Sequence, residues 1–196
     1  MLSIGTRYYP NNLIKQIVAD HLRVTSHDGE LYRHAIMCVK NALHVAEQYT
    51  NRVIVASDVE INIVSDGSRT IELPTAPLTI ADVTYRGADG TWTSISIEEL
   101  RSDRRVIIEI PEIPTGSRVK ITGQAGYDDV YVYSELRDEN DNSLEIPGPI
   151  IQAVMLMAGT FFEFTADTLS GTITAELPTS AKSLLHPYRI YPYGDL

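Results

Sequence analysis

The sequence predicts an α+β fold: a small bundle of about four helices, with an antiparallel β sub-domain inserted between the second and third helices. Apolar residues recur with helical spacing at both ends of the 196-residue chain. From Val53 the period changes to two, and turn residues separate short apolar runs. Segregation of helical and strand patterns along a chain is typical of the α+β class.

The N-terminal segment, residues 1–52, is predicted to form two helices of the bundle. The first follows Pro10, with Asn12 as its N-cap residue. The second runs from about Glu30 to Tyr49, and its apolar side is wide. A wide apolar side indicates contact with more than one neighbouring element.

The middle segment, residues 53–126, is predicted to be an antiparallel β-rich insert. Ala88-Asp89-Gly90 is a good hairpin turn. Trp92, just after this turn, is expected to be a core residue rather than a ligand-stacking one. Strands are predicted in the runs Val59–Ile63, Thr70–Leu73, Ile80–Tyr85, Trp92–Ile95, Arg105–Ile110 and Arg118–Thr122.

The C-terminal third divides into an acidic arm, two helices and a tail. Residues 127–146 are predicted to be an exposed acidic loop or arm, because residues 135–145 hold six ionisable side chains and few apolar ones. Residues 147–187 are predicted to hold the last two helices, and 188–196 the C-terminal tail. The third helix, Ile150–Phe164, is apolar on nearly every side and is therefore expected to be buried all round.

Composition excludes several classes of protein. The chain has 26 acidic and 16 basic side chains, a formal charge of −10, which argues against a protein that grips nucleic acid phosphates. The one cysteine, Cys38, predicts no intrachain disulfide. Residues 1–12 lack the pattern of a signal peptide, and the apolar run 150–164 is too short to span a bilayer. No membrane partner is expected.

Chemistry-bearing residues are sparse. His34 and Cys38 are spaced i, i+4 and could share a helix face as metal ligands, but a structural site needs about four ligands. His27-Asp28 could form half of an acid–base pair, yet it lies in a loop predicted to end a helix. The motifs of serine hydrolases, zinc proteases, phosphate loops and dinucleotide sites are absent. We therefore predict no catalytic, metal or cofactor-binding residue and no enzymatic activity.

A set of short segments gives a more specific indication. In order, they are Asp20–Val24, Ala46–Arg52, Leu73–Leu78, Val83–Tyr85, Val119–Tyr127, Ile146–Ala153 and Leu184–Ile190. This ordered set, which covers most of the chain, resembles the head–tail connector (adaptor) proteins of tailed bacteriophages and related gene transfer agents. Residues 128–145 and 164–178 look long for that family.

The resemblance implies a virion structural protein at the head–tail interface, made in the host cytoplasm. Members of the family form a homo-oligomeric ring, commonly dodecameric, under the portal protein. The ring extends the DNA channel, through which double-stranded DNA passes without specific binding. Its other surface receives the stopper or tail-completion protein. The resemblance implies no cofactor.

Two groups of residues are predicted to make the contacts of such a ring. In the family the C-terminal segment reaches towards the portal, and aromatic side chains gain contact area when docked. The predicted portal-contact residues are Tyr188, Arg189, Tyr191 and Tyr193. The predicted intersubunit or tail-protein contacts of the acidic arm are Tyr131, Tyr133, Glu135, Asp138, Glu139 and Asp141.

Two other functions remain open from the residues alone. One is a non-catalytic carbohydrate- or protein-binding β module on a helical scaffold, with Trp92 as the stacking residue. The other is a small hydrolase or metal-dependent enzyme that uses His34. Glycan binding that changes Trp92 fluorescence would favour the first, and bound metal lost on His34→Ala would favour the second.

Overall fold

The computed structural model describes residues 1–25, 29–101, 106–128, 145–164 and 178–191. The α-helices of these residues are α1 (Asn11–Gln16), α2 (Glu30–Thr50), α3 (Gly148–Phe164) and α4 (Thr179–Leu185). The strands are β1 (Leu2–Tyr8), β2 (Ala56–Val64), β3 (Thr70–Glu72), β4 (Leu78–Arg86), β5 (Trp92–Ser94), β6 (Glu98–Arg101), β7 (Val106–Glu109) and β8 (Arg118–Ala125). The predicted α+β class, with a β insertion between the second and third helices, is confirmed.

The chain divides into two compact units, each built from separate stretches of sequence. The helical unit comprises Tyr9–Ile54 and Tyr127–Arg189. The β unit comprises Met1–Tyr8, Val55–Gly126 and the stretch that begins at Ile190. All four described α-helices thus belong to one unit, and all eight described strands to the other.

The core of the helical unit lies where α2 meets the other helices. The helix α2 contacts α1, α3 and α4, and α3 packs against α4. Alanines in the contact stripes let the helix backbones approach closely. The buried residues of these stripes are Ala35, Val39, Ala42, Leu43 and Ala46 on α2, Ile150, Ala153, Val154, Met157 and Ala158 on α3, and Leu185 on α4. Their spacing of three and four residues is that of a single helix face.

The β unit contains two antiparallel sheets. The larger has five strands in the order β1-β2-β8-β4-β5, and the smaller has three in the order β3-β7-β6. In the larger sheet, β2 pairs with β8 so that Ile61 faces Ile121, and Val83 of β4 also pairs with Ile121. All three side chains are at most 2% exposed, so this face of the sheet is buried.

Two glycines permit close backbone approach in the β unit. A Cβ on Gly123 would overlap the carbonyl oxygen of Thr79, where β4 carries an irregularity in its register. Gly126 has a φ of +102°, and a Cβ there would lie 2.7 Å from the carbonyl of Val55. Side chains are therefore excluded at both positions, which lie at the C-terminal end of β8.

The structure corrects the expectation that residues 1–52 contribute only helices. Residues 2–8 form β1, the edge strand of the larger sheet, with Ile4 opposite Val59. Most residues of β1 are exposed, so the segment lacks the regular apolar alternation of a strand with one buried face. The strand β6 was also missed, because its two glutamates are rare in strands.

The first helix also differs from its prediction. The α-helix α1 begins at Asn11 with Pro10 as its N-cap residue, so Asn12 lies inside the helix and is not the N-cap. After Gln16 the chain continues as a π-helical turn, Ile17–His21, in which the Leu22 amide donates to the Ile17 carbonyl at 3.0 Å. A π turn keeps Ile17 and Val18 in the core although the α-helical period is interrupted.

The third helix is buried on one face only. Ile150, Val154 and Met157 are fully covered, but Ile151 and Met155 remain half-exposed. The expectation that this helix is buried all round is therefore wrong for the single chain. In the described part of the chain, no helix is long and apolar enough to cross a membrane.

Candidate interaction surfaces

The start of the C-terminal segment is held by a buried arginine of the helical unit. Asn51 adopts the left-handed conformation, with φ 53°, and ends α2. The next residue, Arg52, is only 5% exposed, and its Nε donates a hydrogen bond to the carbonyl oxygen of Tyr188. A charged donor makes a stronger hydrogen bond than a neutral one. Arg52 therefore fixes the point at which the C-terminal segment leaves α4.

Tyr49 and Tyr127 make further contacts in the same region. The Arg189 guanidinium lies over the Tyr49 ring, 5.5 Å from its centroid, which is a cation–π arrangement. Tyr127 is 8% exposed, and its burial raises the pKa of its hydroxyl. The Tyr127 amide donates to the Ile54 carbonyl at 3.0 Å. The two ends of the helical unit's second stretch, Tyr127 and Arg189, are thus both tied to the C-terminal end of α2 and the residues after it.

A buried glutamate completes the same region. Glu47 is 9% exposed, and its Oε1 accepts a hydrogen bond from the Ile54 amide at 2.9 Å. Its Oε2 lies 3.9 Å from Nδ1 of His44. Glu47 thus accepts a hydrogen bond from a backbone amide in the connection from α2 to β2. The sequence did not indicate this role, because Glu47 has the helical spacing of an exposed residue.

The structure describes three of the four predicted portal-contact residues. Tyr188 is half-buried, Arg189 is exposed and Tyr191 is 37% exposed. The Tyr188 carbonyl thus accepts the internal hydrogen bond from Arg52, while the Arg189 and Tyr191 side chains reach the surface. Tyr193 lies outside the described residues. So do the predicted arm residues Tyr131, Tyr133, Glu135, Asp138, Glu139 and Asp141.

The histidine and cysteine candidates come together as a pair only. Sγ of Cys38 lies 3.5 Å from Nε2 of His34, and the His34 ring stacks on Phe162 with centroids 5.6 Å apart. Cys38 is 3% exposed, and burial raises the pKa of its thiol. Within the described ranges, no three His, Cys, Asp or Glu side chains are grouped as metal ligands. His27 and Asp28 lie outside those ranges.

The outer face of the larger sheet carries two shallow grooves. One, of about 760 Å³, crosses four strands over small side chains and is bordered by Asp58 and Glu60. The other, of about 600 Å³, lies at the turn end of the sheet and is bordered by Arg86 and Arg118. Trp92 is 47% exposed, so the prediction that it is a core residue is wrong.

Comparisons with solved structures identify the fold. A chain in the virion of a native gene transfer agent particle superposes with a TM-score of 0.69, at 22% sequence identity. Chains in the neck of the empty particle, computed with C6 symmetry, and in the neck of the native particle, computed with C12 symmetry, give TM-scores of 0.68 and 0.66 at the same identity. Each match covers 97% of this chain and 96% of the other. No family model and no curated protein matches the sequence.

These matches define the class of fold. The chain has the fold of a gene transfer agent neck chain over nearly its whole length, including both units. The resemblance found in the sequence, to head–tail connector proteins, is therefore confirmed at the level of the fold.

Proposed function

We propose that this chain is a structural protein of the neck of a tailed, phage-like particle, where it forms a ring at the head–tail interface. The observation that carries the proposal is the full-length fold match to neck chains in particles computed with C6 and C12 symmetry. Its work is docking and not catalysis: many copies in a ring turn weak contacts into a firm joint.

The surface of the helical unit supports self-association. Ile151, Met155 and Phe162 of α3 stay half-exposed in the single chain. On α2, Leu31 and Met37 are 60% and 55% exposed. Burial of such side chains between copies would be favourable by roughly 25 cal/mol for each Å² of apolar surface removed from water.

The finer roles extend the same proposal. The ring binds the portal protein on one side and a stopper or tail-completion protein on the other, and it lengthens the channel for double-stranded DNA. Arg189 and Tyr191, whose side chains reach the surface, contact the portal, with Tyr193 beyond them in sequence. The net charge of −10 suits a channel wall that does not retain DNA.

Electron microscopy of particles tests the function. In the host, deletion of the gene should leave filled heads without tails, and an epitope-tagged copy should restore tailed particles with label at the neck. Normal tailed particles after deletion, or label elsewhere, would refute the proposal.

A variant pair tests the ring. Leu31→Glu with Met37→Glu places charges on the exposed apolar sites of α2 and should leave the chain folded but unable to restore tails. Asn41→Glu with Gln48→Glu, at exposed polar sites of the same helix, is the matched control and should restore them. Equal restoration by both pairs would remove this helix from the interface.

A truncation tests the portal contact. A chain that ends at Arg189 keeps the Arg52–Tyr188 hydrogen bond and should fold, yet should not co-purify with the portal protein. If it binds portal as the full chain does, the C-terminal segment is not the portal contact.

A further inference from the structure

The turn end of the larger sheet presents a row of four exposed side chains on neighbouring strands. Val64 of β2 pairs with Arg118 of β8, and Arg86 of β4 pairs with Trp92 of β5. Tyr85 pairs with Val119, so Arg86 occupies the register position beside Arg118. Paired residues of antiparallel strands point to the same face.

The burial pattern shows that this row faces outward. Val119 is fully buried, so its neighbour Arg118 points to the opposite, exposed face. Val64 is 64% exposed and Trp92 is 47% exposed, and both arginines are exposed as well. The row therefore combines two cations and two apolar side chains on open surface. Trp and Arg are the residue types most enriched at the energetic centres of protein interfaces.

Within the described ranges, the two cations of the row have no acidic partner. Nε of Arg86 donates to the Gly90 carbonyl at 3.2 Å. Across the residues that the structure describes, no carboxylate lies within salt-bridge distance of Arg86 or Arg118. By contrast, the next basic residue of β8, Lys120, is paired with Glu60 at 2.9 Å. These two arginines, which have no carboxylate partner among the described residues, border a groove of about 600 Å³ in a chain whose formal charge is −10.

The sequence contains a segment with the complementary chemistry. Residues 127–146 hold seven of the 26 acidic side chains and only one of the 16 basic ones, so they carry most of the net charge. Tyr131, Val132 and Tyr133 precede the acidic cluster. Carboxylates match the two arginines, and aromatic or apolar side chains match Trp92 and Val64.

We propose that the row formed by Val64, Arg118, Arg86 and Trp92 is the docking surface for the acidic residues 128–145 of a second copy of this chain. The choice of a second copy as the partner rests on the proposed ring. A contact between the acidic segment of one copy and the row of the next is head-to-tail, because it joins two different surfaces. Contacts of that kind form a ring when the rotation between successive copies closes on itself.

Trp92 reports on the docking directly, because it is the only tryptophan in the chain. The host is the full chain with Glu135, Asp138, Glu139 and Asp141 changed to Gln or Asn, so that its own segment does not compete. The probe is a synthetic peptide of residues 127–146. Titration should change Trp92 fluorescence to saturation, and the affinity should fall as salt screens the arginines.

Matched variants identify the residues responsible. Arg86→Glu with Arg118→Glu should weaken peptide affinity by at least about tenfold, since two attractive charge pairs become repulsive. Arg33→Glu, at an exposed position of α2, should leave it unchanged. A peptide with its acids replaced by amides should not bind. Absence of binding by the acidic peptide, or equal loss in the Arg33 variant, would overturn the proposal. Saturable binding of a 20-base-pair DNA duplex without peptide binding would also overturn it, in favour of a phosphate site.

Mixing variants tests whether the contact joins two copies. The arm-neutralised chain keeps only the receiving surface, and the Arg86→Glu/Arg118→Glu chain keeps only the donating segment. By sedimentation velocity, the two should form a 1:1 complex although neither associates alone. A mixture that sediments as monomers would refute docking between copies. The gene-deletion and labelling experiments on particles test the neck function and do not depend on this docking surface. Failure of one proposal is therefore distinguishable from failure of the other.

Discussion

Replacement of Arg52 by alanine should destabilise the helical unit and release the C-terminal segment. Arg52 is 5% exposed, and its guanidinium donates to the Tyr188 carbonyl. A hydrogen bond from a charged donor contributes about 1.5–3 kcal/mol, and an unpaired buried carbonyl adds to the loss. We expect the free energy of unfolding to fall by about 3 kcal/mol, which for a chain of this length corresponds to roughly 6–12 °C in Tm.

The matched control is Arg69→Ala. Arg69 pairs with Glu112 at 3.4 Å, but the two side chains are 66% and 78% exposed. An exposed pair of this kind contributes about 0–1 kcal/mol. The two variants remove the same side chain, so the difference between them measures burial and the bond to Tyr188.

Thermal unfolding followed by circular dichroism gives both Tm values, and limited proteolysis gives the fate of the C-terminal segment. In Arg52→Ala, cleavage near residues 188–191 should become faster than in the wild type, whereas Arg69→Ala should not change it. If the two variants lose the same Tm and cleave alike, Arg52 does not anchor the segment and the reasoning is refuted.

Three further predictions concern single residues. Gly123→Ala should lower the free energy of unfolding by about 1–3 kcal/mol, because its Cβ would overlap the Thr79 carbonyl. In the same denaturant titration, Gly148→Ala should leave the free energy unchanged, since there is open space around its Cβ. Cys38 should react with a thiol reagent at pH 8 far more slowly in the native chain than in urea, because burial raises its pKa and blocks access; equal rates would contradict this. Burial raises the Tyr127 pKa above its ordinary value of 10.0, so the stability that depends on the neutral hydroxyl is complete below pH 10 and is lost as pH rises through the folded-state pKa. Tyr127→Phe should therefore flatten the fall of Tm above pH 10. An unchanged slope of Tm against pH would disprove this.

Local patterns were enough to predict the elements that bury one clear face. The helix α4 lies within residues 147–187, as predicted, and α2 ends at Thr50 where about Tyr49 was predicted. A buried helix face leaves a strong period in the sequence. The edge strand β1 buries little, so its pattern is weak, and only its pairing with β2 reveals it. The π turn after α1 depends on packing of Ile17 and Val18, which no periodicity encodes.

The interaction surfaces were less accessible to sequence reasoning. Tyr188 and Arg189 were predicted as contact residues from family resemblance, but the anchoring of Tyr188 by Arg52 joins positions 136 residues apart. The row of Arg86 and Arg118 exists only because strand pairing aligns residues distant in sequence. Trp92 was assigned to the core because large aromatic rings are usually buried, whereas its place on a three-residue edge strand leaves it open.

The interleaved division of the chain has a consequence for its synthesis. Each unit draws on residues from both sides of a boundary near residue 54, and the larger sheet needs β8 at its centre to join β2 to β4. While the ribosome has delivered only the first hundred residues, neither unit has all its parts. The helical unit waits longer still, for α3 and α4. A nascent chain therefore completes the helical unit only after α4 has been made.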